Sequence, residues 1–350
     1  MSHQRNCSMS KARDRRFVAL VLAVALSPGA VAQCTGDFNG DGYADLAIGV
    51  PGEDANGVKH TGAINVLYGS ASYLSATGNQ YRHQDSSNVP GVAEAGDGFG
   101  SVLAAGDFNG DGYDDLAVGV PFETAGGIAS AGAFNVFYGG AIGLRSSGSE
   151  VWTQETLGFP SEAGDRFGAA LAAGDVDGDG FADLLVGTPG RNVTAGVDAG
   201  VVYQIFGDAG GLGGPGSGAG AGGATASEEF GSALAVGDFD GDGFDDVAVG
   251  APRGRVGAVL EAGYVDVFRG TPVGVAWSFG STWHQDVGHF PDVAESFDRF
   301  GHALAAGDLD RDGYSDLAIG VPLEDVDGNR NTGVVHVLRG SSAGLTGEFN

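Results

Sequence analysis

Cysteine is almost absent from this chain of 350 residues: there are two, Cys7 and Cys34. Basic residues are scarce too, 17 lysines and arginines against 45 aspartates and glutamates, for a formal net charge of -28. So acidic a surface excludes nucleic acid as a partner. Apolar stripes at 3.6-residue spacing are missing after residue 35, which excludes a helical fold. The apolar run from Phe17 to Leu26 is too short to span a bilayer. No phosphate-cradling loop is present, and the one Gly-x-Ser-x-Gly string, Gly340 to Gly344, has no helical pattern after it, as a nucleophile elbow requires.

The N-terminus is a segment of its own kind. Lys11, Arg13, Arg15 and Arg16 precede the apolar run, and Ser27-Pro28-Gly29 and the small residues Ala30-Val31-Ala32 follow it. This is the layout of a signal peptide, residues 1–32, cut after Ala32. It predicts a secreted or cell-surface protein with no transmembrane segment after cleavage. Cleavage removes Cys7, so no internal disulfide is expected, and the net charge falls to about -32. Cys34 beside the new N-terminus raises lipid attachment, although Gln33 is a poor residue for such a cut.

Glycine is abundant, 66 residues, and a repeat explains it. The stretch from Gly106 to Pro121, GDFNGDGYDDLAVGVP, recurs from Gly36, Gly174, Gly237 and Gly307. A fixed period announces one supersecondary unit stacked on copies of itself. Around each copy stand short runs rich in Val, Ile, Phe and Tyr, bounded by Gly or Pro, which read as strands. Phe-Gly pairs precede the copies at Phe99-Gly100, Phe167-Gly168, Phe230-Gly231 and Phe300-Gly301. Second strands close at Pro51, Pro121, Pro189, Pro252 and Pro322, and third strands begin at Gly62, Gly132, Gly200, Gly263 and Gly333. Outer strands are expected around Arg82-His83-Gln84, Val151 to Gln154 and Trp283-His284-Gln285. In the third unit residues 209–223, nearly all Gly, Ala, Ser and Pro, read as a flexible loop with a doubtful outer strand. Four antiparallel strands per unit predict an all-β propeller, with repeats near 33–86, 87–154, 155–223, 224–285 and 286–350.

Phe-Gly, the aspartate loop and Gly-x-Pro together resemble the FG-GAP repeat of integrin α-subunit β-propellers, which also occurs in bacterial exported proteins. The resemblance covers residues 34 onward and implies propeller blades, typically seven, and calcium-binding loops. Five copies are present here. The first lacks its Phe-Gly, and the last ends where an outer strand is due. The chain is thus either a five-blade ring with a frayed seam, which is the favoured reading, or a partial propeller.

Counted from the first aspartate, each loop has oxygen side chains at positions 1, 3, 5 and 9, glycine at 6 and an aromatic at 7. The candidate ligands are Asp37, Asn39, Asp41, Tyr43 and Asp45; Asp107, Asn109, Asp111, Tyr113 and Asp115; Asp175, Asp177, Asp179, Phe181 and Asp183; Asp238, Asp240, Asp242, Phe244 and Asp246; and Asp308, Asp310, Asp312, Tyr314 and Asp316. The aromatic at 7 would contribute only its carbonyl, leaving its ring to pack inward. Five hard oxygens at flexible distances suit Ca²⁺ better than Mg²⁺, and the lack of nitrogen or sulfur excludes zinc and copper. An EF-hand fails at position 12, where Ile48, Val118, Val186, Val249 and Ile319 stand in place of a bidentate glutamate. A metal-free turn would leave crowded carboxylates repelling one another. About five structural calcium ions are expected, in place of disulfides.

No catalytic constellation is legible: most carboxylates are committed to the loops, and His60, His83, His284, His302 and His336 read as surface or blade-interface residues. FG-GAP propellers sometimes accompany a separate catalytic domain, for which this chain leaves no room. The expected function is therefore adhesion or recognition of a cell-surface or matrix protein or glycan. Variable loops 52–61, 122–131, 190–199, 253–262 and 323–332 would form the binding face. The alternative is a polysaccharide hydrolase or lyase with its site in the central channel, which an inward cluster of carboxylates not used by calcium would favour.

Overall fold

The computed structural model describes residues 32–347, except 195, 215–217, 223–224, 279, 288–289, 291–292 and 327–328. The expected signal peptide lies outside them up to residue 31. Ala32, its expected last residue, already belongs to a strand.

Strand follows strand in antiparallel order within each unit. Blade one is β1 (Ala32–Gly36), β2 (Asp45–Val50), β3 (Ala63–Tyr68) and β4 (Ser75–Arg82). Blade two is β5 (Val102–Gly106), β6 (Asp115–Val120), β7 (Ala133–Phe137) and β8 (Glu150–Trp152). Blade three holds β9 (Ala170–Gly174), β10 (Asp183–Thr188) and β11 (Val201–Ile205). A small hairpin, β12 (Gly207–Asp208) and β13 (Gly211–Leu212), then precedes its outer strand β14 (Gly218–Gly222). Blade four is β15 (Ala233–Gly237), β16 (Asp246–Ala251), β17 (Tyr264–Phe268) and β18 (Gly280–Trp283). Blade five has three strands, β19 (Ala303–Gly307), β20 (Asp316–Val321) and β21 (Val334–Leu338). The chain is all-β and propeller-like, as its sequence predicts.

The outer strands depart from expectation: those of blades one and four end at Arg82 and Trp283, leaving His83-Gln84 and His284-Gln285 outside. Residues 209–223 are not simply a loop, because β14 pairs with β11, Gly222 opposite Val201 and Gly218 opposite Gln204. Backbone hydrogen bonds alone make this strand, so its composition hides it. In blade two the outer strand stops at Trp152, and Gln154–Leu157 form a 3₁₀ turn.

Inner strands stack in chain order, β1 on β5, β5 on β9, β9 on β15 and β15 on β19. Apolar side chains fill the gaps, as where Val102, Ala104 and Phe134 of blade two meet Phe167, Leu171 and Leu184 of blade three. Burying such side chains is worth about 1.5–3 kcal/mol each. The Phe-Gly signposts lock this stacking. Phe99, Phe167, Phe230 and Phe300 are at most 1% exposed. Their backbone N–H groups donate to the carbonyls of Thr61, Ala131, Ala199 and Ala262 in the preceding blade at 2.8–3.0 Å.

No sheet joins blade five to blade one among the described residues, so the favoured five-blade ring finds no closing strand there. Leu309 and Val335, on the far face of blade five, are 62% and 65% exposed. Cys34 is buried and disulfide-bonded, contrary to the expectation of a chain without disulfides; Cys7, the other cysteine, lies outside the described residues.

Candidate metal centres

Each aspartate loop connects the first two strands of its blade, and its side chains organise its backbone. At position 1, Asp37 accepts from the backbone N–H of Asp41 at 3.0 Å and of Gly42 at 2.8 Å. Asp107, Asp175, Asp238 and Asp308 accept in the same way from the glycine at position 6, at 3.0, 3.1, 3.2 and 3.1 Å. Asn39, Asn109, Asp177, Asp240 and Asp310 at position 3 accept from the N–H of position 5. Asp41, Asp111, Asp179, Asp242 and Asp312 at position 5 accept from the N–H of position 7. Alternate side chains thus fold back on the backbone of their own loop.

Position 9 is built differently. Asp45, Asp115, Asp183, Asp246 and Asp316 are at most 2% exposed. In Asp115, Oδ2 accepts from the N–H of Phe108 at 3.0 Å and Oδ1 from that of Gly139 at 2.8 Å. The other four repeat this pair of bonds, with Gly69, Gly207, Gly270 and Gly340 as the distant donors. The residue therefore pins the loop to the end of the third strand, a role that ligand spacing does not reveal. Burial, offset in part by these two bonds, pushes the carboxyls of Asp45 and Asp246 up to about 7 and those of Asp115 and Asp183 up to about 8. Burial also raises Asp107, Asp175, Asp177 and Asp240, with neighbouring aspartates adding to it. Carboxylates in this condition are stabilised by a nearby cation.

In three loops acidic groups converge enough to hold a metal. Asp175, Asp177 and Asp183, then Asp238, Asp240 and Asp242, and then Asp308, Asp310 and Asp316 each bring three carboxylate oxygens within 4.8 Å of one another. Loops one and two have asparagine at position 3. The donors are all hard oxygens, which fits a divalent cation of the calcium class. The aromatic rings at position 7 do not simply turn inward. Tyr113, Phe181, Phe244 and Tyr314 lie over Gly40, Gly110, Gly178 and Gly241 of the preceding loop, where a Cβ would come within 2.6–2.7 Å of the ring.

Several site residues escape sequence reasoning. Arg269 Nη1 lies 2.6 Å from Asp240 Oδ2, and Arg339 contacts Asp310. Both arginines directly precede the glycine that binds position 9, where the first three blades have Tyr68, Tyr138 and Phe206. Arg145 reaches Asp111 at 3.4 Å. At position 8, Asp114 and Asp245 accept from the N–H of Asp37 and Asp175 in the preceding loop at 2.7 and 3.0 Å. Asp114 and Asp245, with Asp37, Asp107 and Asp175, line a cavity of about 340 Å³. An inward carboxylate cluster therefore exists, where the sequence shows none. The only available signal is the acid at position 8 in two repeats.

The variable loops lie at the opposite end of the blades, between second and third strands. Each is a tight turn closed by a bridge, such as Ala125 with Ile128 and Val256 with Val259. Phe122, Val197, Leu260 and Val326 project from four of them, 37–62% exposed. Another exposed apolar group, Tyr73, Ile142 and Val273, sits in the turns after the third strands. Among the described residues no helix is long and apolar enough to cross a membrane.

Comparison with known proteins agrees with this geometry. A phosphatidylinositol-glycan-specific phospholipase D from Bos taurus is 34% identical over 160 residues, covering 45% of this chain and 18% of that protein. Integrin alpha-PS2 of Drosophila melanogaster is 35% identical over 229 residues, 62% of this chain and 15% of that protein. Integrin alpha pat-2 of Caenorhabditis briggsae is 33% identical over 246 residues, 65% of this chain and 18% of that protein. The chain thus matches less than a fifth of each of these relatives. Among solved structures, the rhamnogalacturonan lyase YesW aligns with a TM-score of 0.42 at 15% identity, over 91% of this chain and 50% of that one. The FG-GAP repeat profile matches residues 34–67, 99–136, 167–203, 230–268 and 300–338, one match per blade and each spanning an aspartate loop, and the chain belongs to the FG-GAP repeat family.

Proposed function

We propose that this protein is an exported recognition module whose aspartate loops bind calcium, about one ion per loop, and whose variable loops bind a cell-surface or matrix protein or glycan. The observation that carries the reading is the separation of the two ends of each blade. One end gathers hard-oxygen loops whose raised carboxyls favour a cation. The other carries four exposed apolar side chains, Phe122, Val197, Leu260 and Val326, on loops that the sheets hold in place. Exposed apolar groups on a rigid frame are the usual material of a binding surface. Integrin-type relatives support the same reading, and they contribute only the family context.

The ligands for calcium would be the side chains at positions 1, 3, 5 and 9. The ion's role is structural: it neutralises carboxylates that the fold crowds together. The test replaces the exposed side chains Phe122, Val197, Leu260 and Val326 by serine, leaving the loop backbones in place, and measures binding to matrix and glycan arrays in calcium. Binding should fail while the melting temperature stays nearly unchanged. Retained binding sinks the assignment of the face, and a loss on replacing Tyr73, Ile142 and Val273 instead moves it to the opposite end.

A second reading rests on the cavity lined by Asp114 and Asp245. Carboxylates facing one recess are what a polysaccharide hydrolase or lyase needs. Here both already accept a backbone N–H from the neighbouring loop, which favours a structural role. Multiple-turnover cleavage of a polysaccharide, lost in Asp114→Asn and Asp245→Asn, would establish the enzyme reading instead.

A further inference from the structure

We propose a second class of cation site, at the end of the blades opposite the aspartate loops. A divalent ion of the calcium class is held by Glu94, Asp97 and Glu123 where blade one meets blade two. A like ion is held by Glu295, Asp298 and Glu324 where blade four meets blade five.

The repeat supplies its own comparison. Two residues before the phenylalanine of each Phe-Gly pair stands an acid: Asp97, Asp165, Glu228 and Asp298. Three residues before that acid come Glu94, Glu162, Thr225 and Glu295. Two residues past the proline that closes the following second strand come Glu123, Arg191, Gly254 and Glu324. Where blades two and three meet, these positions hold a cation. Arg191 Nη1 lies 3.0 Å from Oδ2 of the buried Asp165, 2.7 Å from the carbonyl oxygen of Pro160 and 4.0 Å from Glu162 Oε1. Where blades three and four meet, Thr225 and Gly254 leave a single acid of the three. Arginine thus goes with two acids and glycine with one. At the remaining two junctions a third acid stands where the guanidinium would be, so a charge of opposite sign has to come from outside the chain.

The surroundings of Asp97 point to an ion. Asp97 is 1% exposed, and the charges of Glu123 and Glu94 lie close to it. Among the described residues no lysine or arginine forms an ion pair with Asp97 or Glu123. Burying charges of one sign without a partner is costly. Gln84, also 1% exposed, donates from Nε2 to Glu123 Oε2 at 2.5 Å, which sets its carbonyl oxygen beside the same carboxylate. That oxygen accepts no hydrogen bond. Buried acceptors are normally satisfied, and a metal ion satisfies one as a donor does. Gln285 repeats the arrangement at the second place: it is 2% exposed, its Nε2 contacts Glu324, and its Oε1 accepts no hydrogen bond.

The donors are all hard oxygens: three carboxylates, the side-chain carbonyl of Gln84, and the backbone carbonyl of Val92 at the position from which Pro160 serves Arg191. The three carboxylates are less tightly gathered than those of loops three, four and five. Glu94 is exposed and completes the group by swinging inward, with water filling the rest of the shell. Such a mixed and adaptable shell suits Ca²⁺ better than the strict octahedron of Mg²⁺.

The experiment counts calcium ions on the full chain by calorimetric titration and records melting curves in chelator and in calcium. Glu123→Arg copies the arrangement at Arg191. It should lower the stoichiometry by about one and raise the melting temperature in chelator. Combined with Glu324→Arg, it should lower the stoichiometry by about two. Glu123→Gln keeps the side chain's size without its charge, and should weaken one site about tenfold or more, since affinity follows the charge of the ligands. Asp111→Ala, in an aspartate loop, should remove a different ion, so its loss adds to that of Glu123→Arg and either class of site can fail alone. The parent's stoichiometry and affinities in both Glu123 variants would overturn the proposal. A proton shared by Asp97 and Glu123 in place of the metal would overturn it too; Glu123→Gln would then raise the melting temperature as much in calcium as in chelator.

Discussion

At the scale of single residues, the aspartates of one loop are not equivalent. Asp111 is exposed and accepts from the N–H of Tyr113 and the side-chain amide of Asn109 in its own turn and from Arg145, whereas Asp115 is buried and holds the N–H groups of both Phe108 and Gly139. Asp111→Ala should therefore lower calcium stoichiometry by about one and leave the melting temperature in chelator nearly unchanged. Asp115→Ala should destabilise the protein even in chelator. It strands two buried donors, each worth about 1–3 kcal/mol. Calorimetric titration and melting curves of both variants separate the roles, and equal losses in chelator would refute the distinction. The arginines give a second prediction. Arg269 supplies loop four with a positive charge 2.6 Å from Asp240. Arg269→Gln should raise calcium affinity at that loop a few-fold, since a fixed cation competes with the ion. An unchanged or weaker affinity would show that the guanidinium does not compete. The spacing 1, 3, 5 and 9 was legible because alternating oxygens make a recognisable string. The arginines were not, because they stand more than twenty residues from the acids they meet.

At the scale of elements, the junction between blades is the unit that sequence shows only in part. Phe-Gly marks it plainly, but the acid two residues before the phenylalanine carries as much of the local structure. Asp97, 1% exposed, accepts from the N–H of Glu94, and Asp165 and Glu228 accept likewise from Glu162 and Thr225. Blade three pairs Asp165 with Arg191 at 3.0 Å. Asp97 instead has the carboxylates of Glu123 and Glu94 nearby. Burial first, and these two charges after it, raise its carboxyl to about 7. A carboxyl raised in the folded state stabilises fully below its unfolded value near ~3.9, and the contribution is lost as pH rises through about 7. Asp97→Asn imitates the protonated acid, so in chelator it should stabilise slightly at pH 5, already above the unfolded value, and more at pH 8. Melting curves at the two pH values check this, and a variant less stable than the parent at pH 8 contradicts the burial account. The outer strand β14 shows the opposite limit of legibility. Gly218 to Gly222 carry hardly any side chains to pattern, so only the edge of β11 reveals them as a strand.

At the scale of the whole molecule, repetition made the array legible while leaving its end and its centre obscure. Five copies of one loop specify stacked blades, but whether a last blade meets a first depends on side chains such as Leu309 and Val335 that no period predicts. Likewise the cavity among the aspartate loops is lined by Asp114 and Asp245, which reach across to the loop before them, a contact between repeats instead of within one. The same assembly concentrates buried carboxyls, and under the proposed function this would give calcium a global role. If each loop binds at ~10⁻⁴ M in ~1 mM calcium, each ion adds about 1.4 kcal/mol. Removing several ions with a chelator should then lower the melting temperature by many degrees. The pH dependence has opposite signs in the two forms. Without metal, Asp45, Asp115, Asp183 and Asp246 have folded values near 7 to 8, well above the unfolded carboxyl. Their contribution is complete at low pH and is lost as pH rises through 7 to 8, so the chelated protein should melt higher at pH 5 than at pH 8. With saturating calcium, protons compete with the ion for the same oxygens. The increment that calcium adds should therefore be larger at pH 8 than at pH 5. Scanning calorimetry in chelator and in calcium at both values measures all four numbers. A chelated protein that gains stability from pH 5 to 8, or a calcium increment that shrinks over that range, would show that these aspartates are ionised without the metal and that calcium is not what the fold supplies them for.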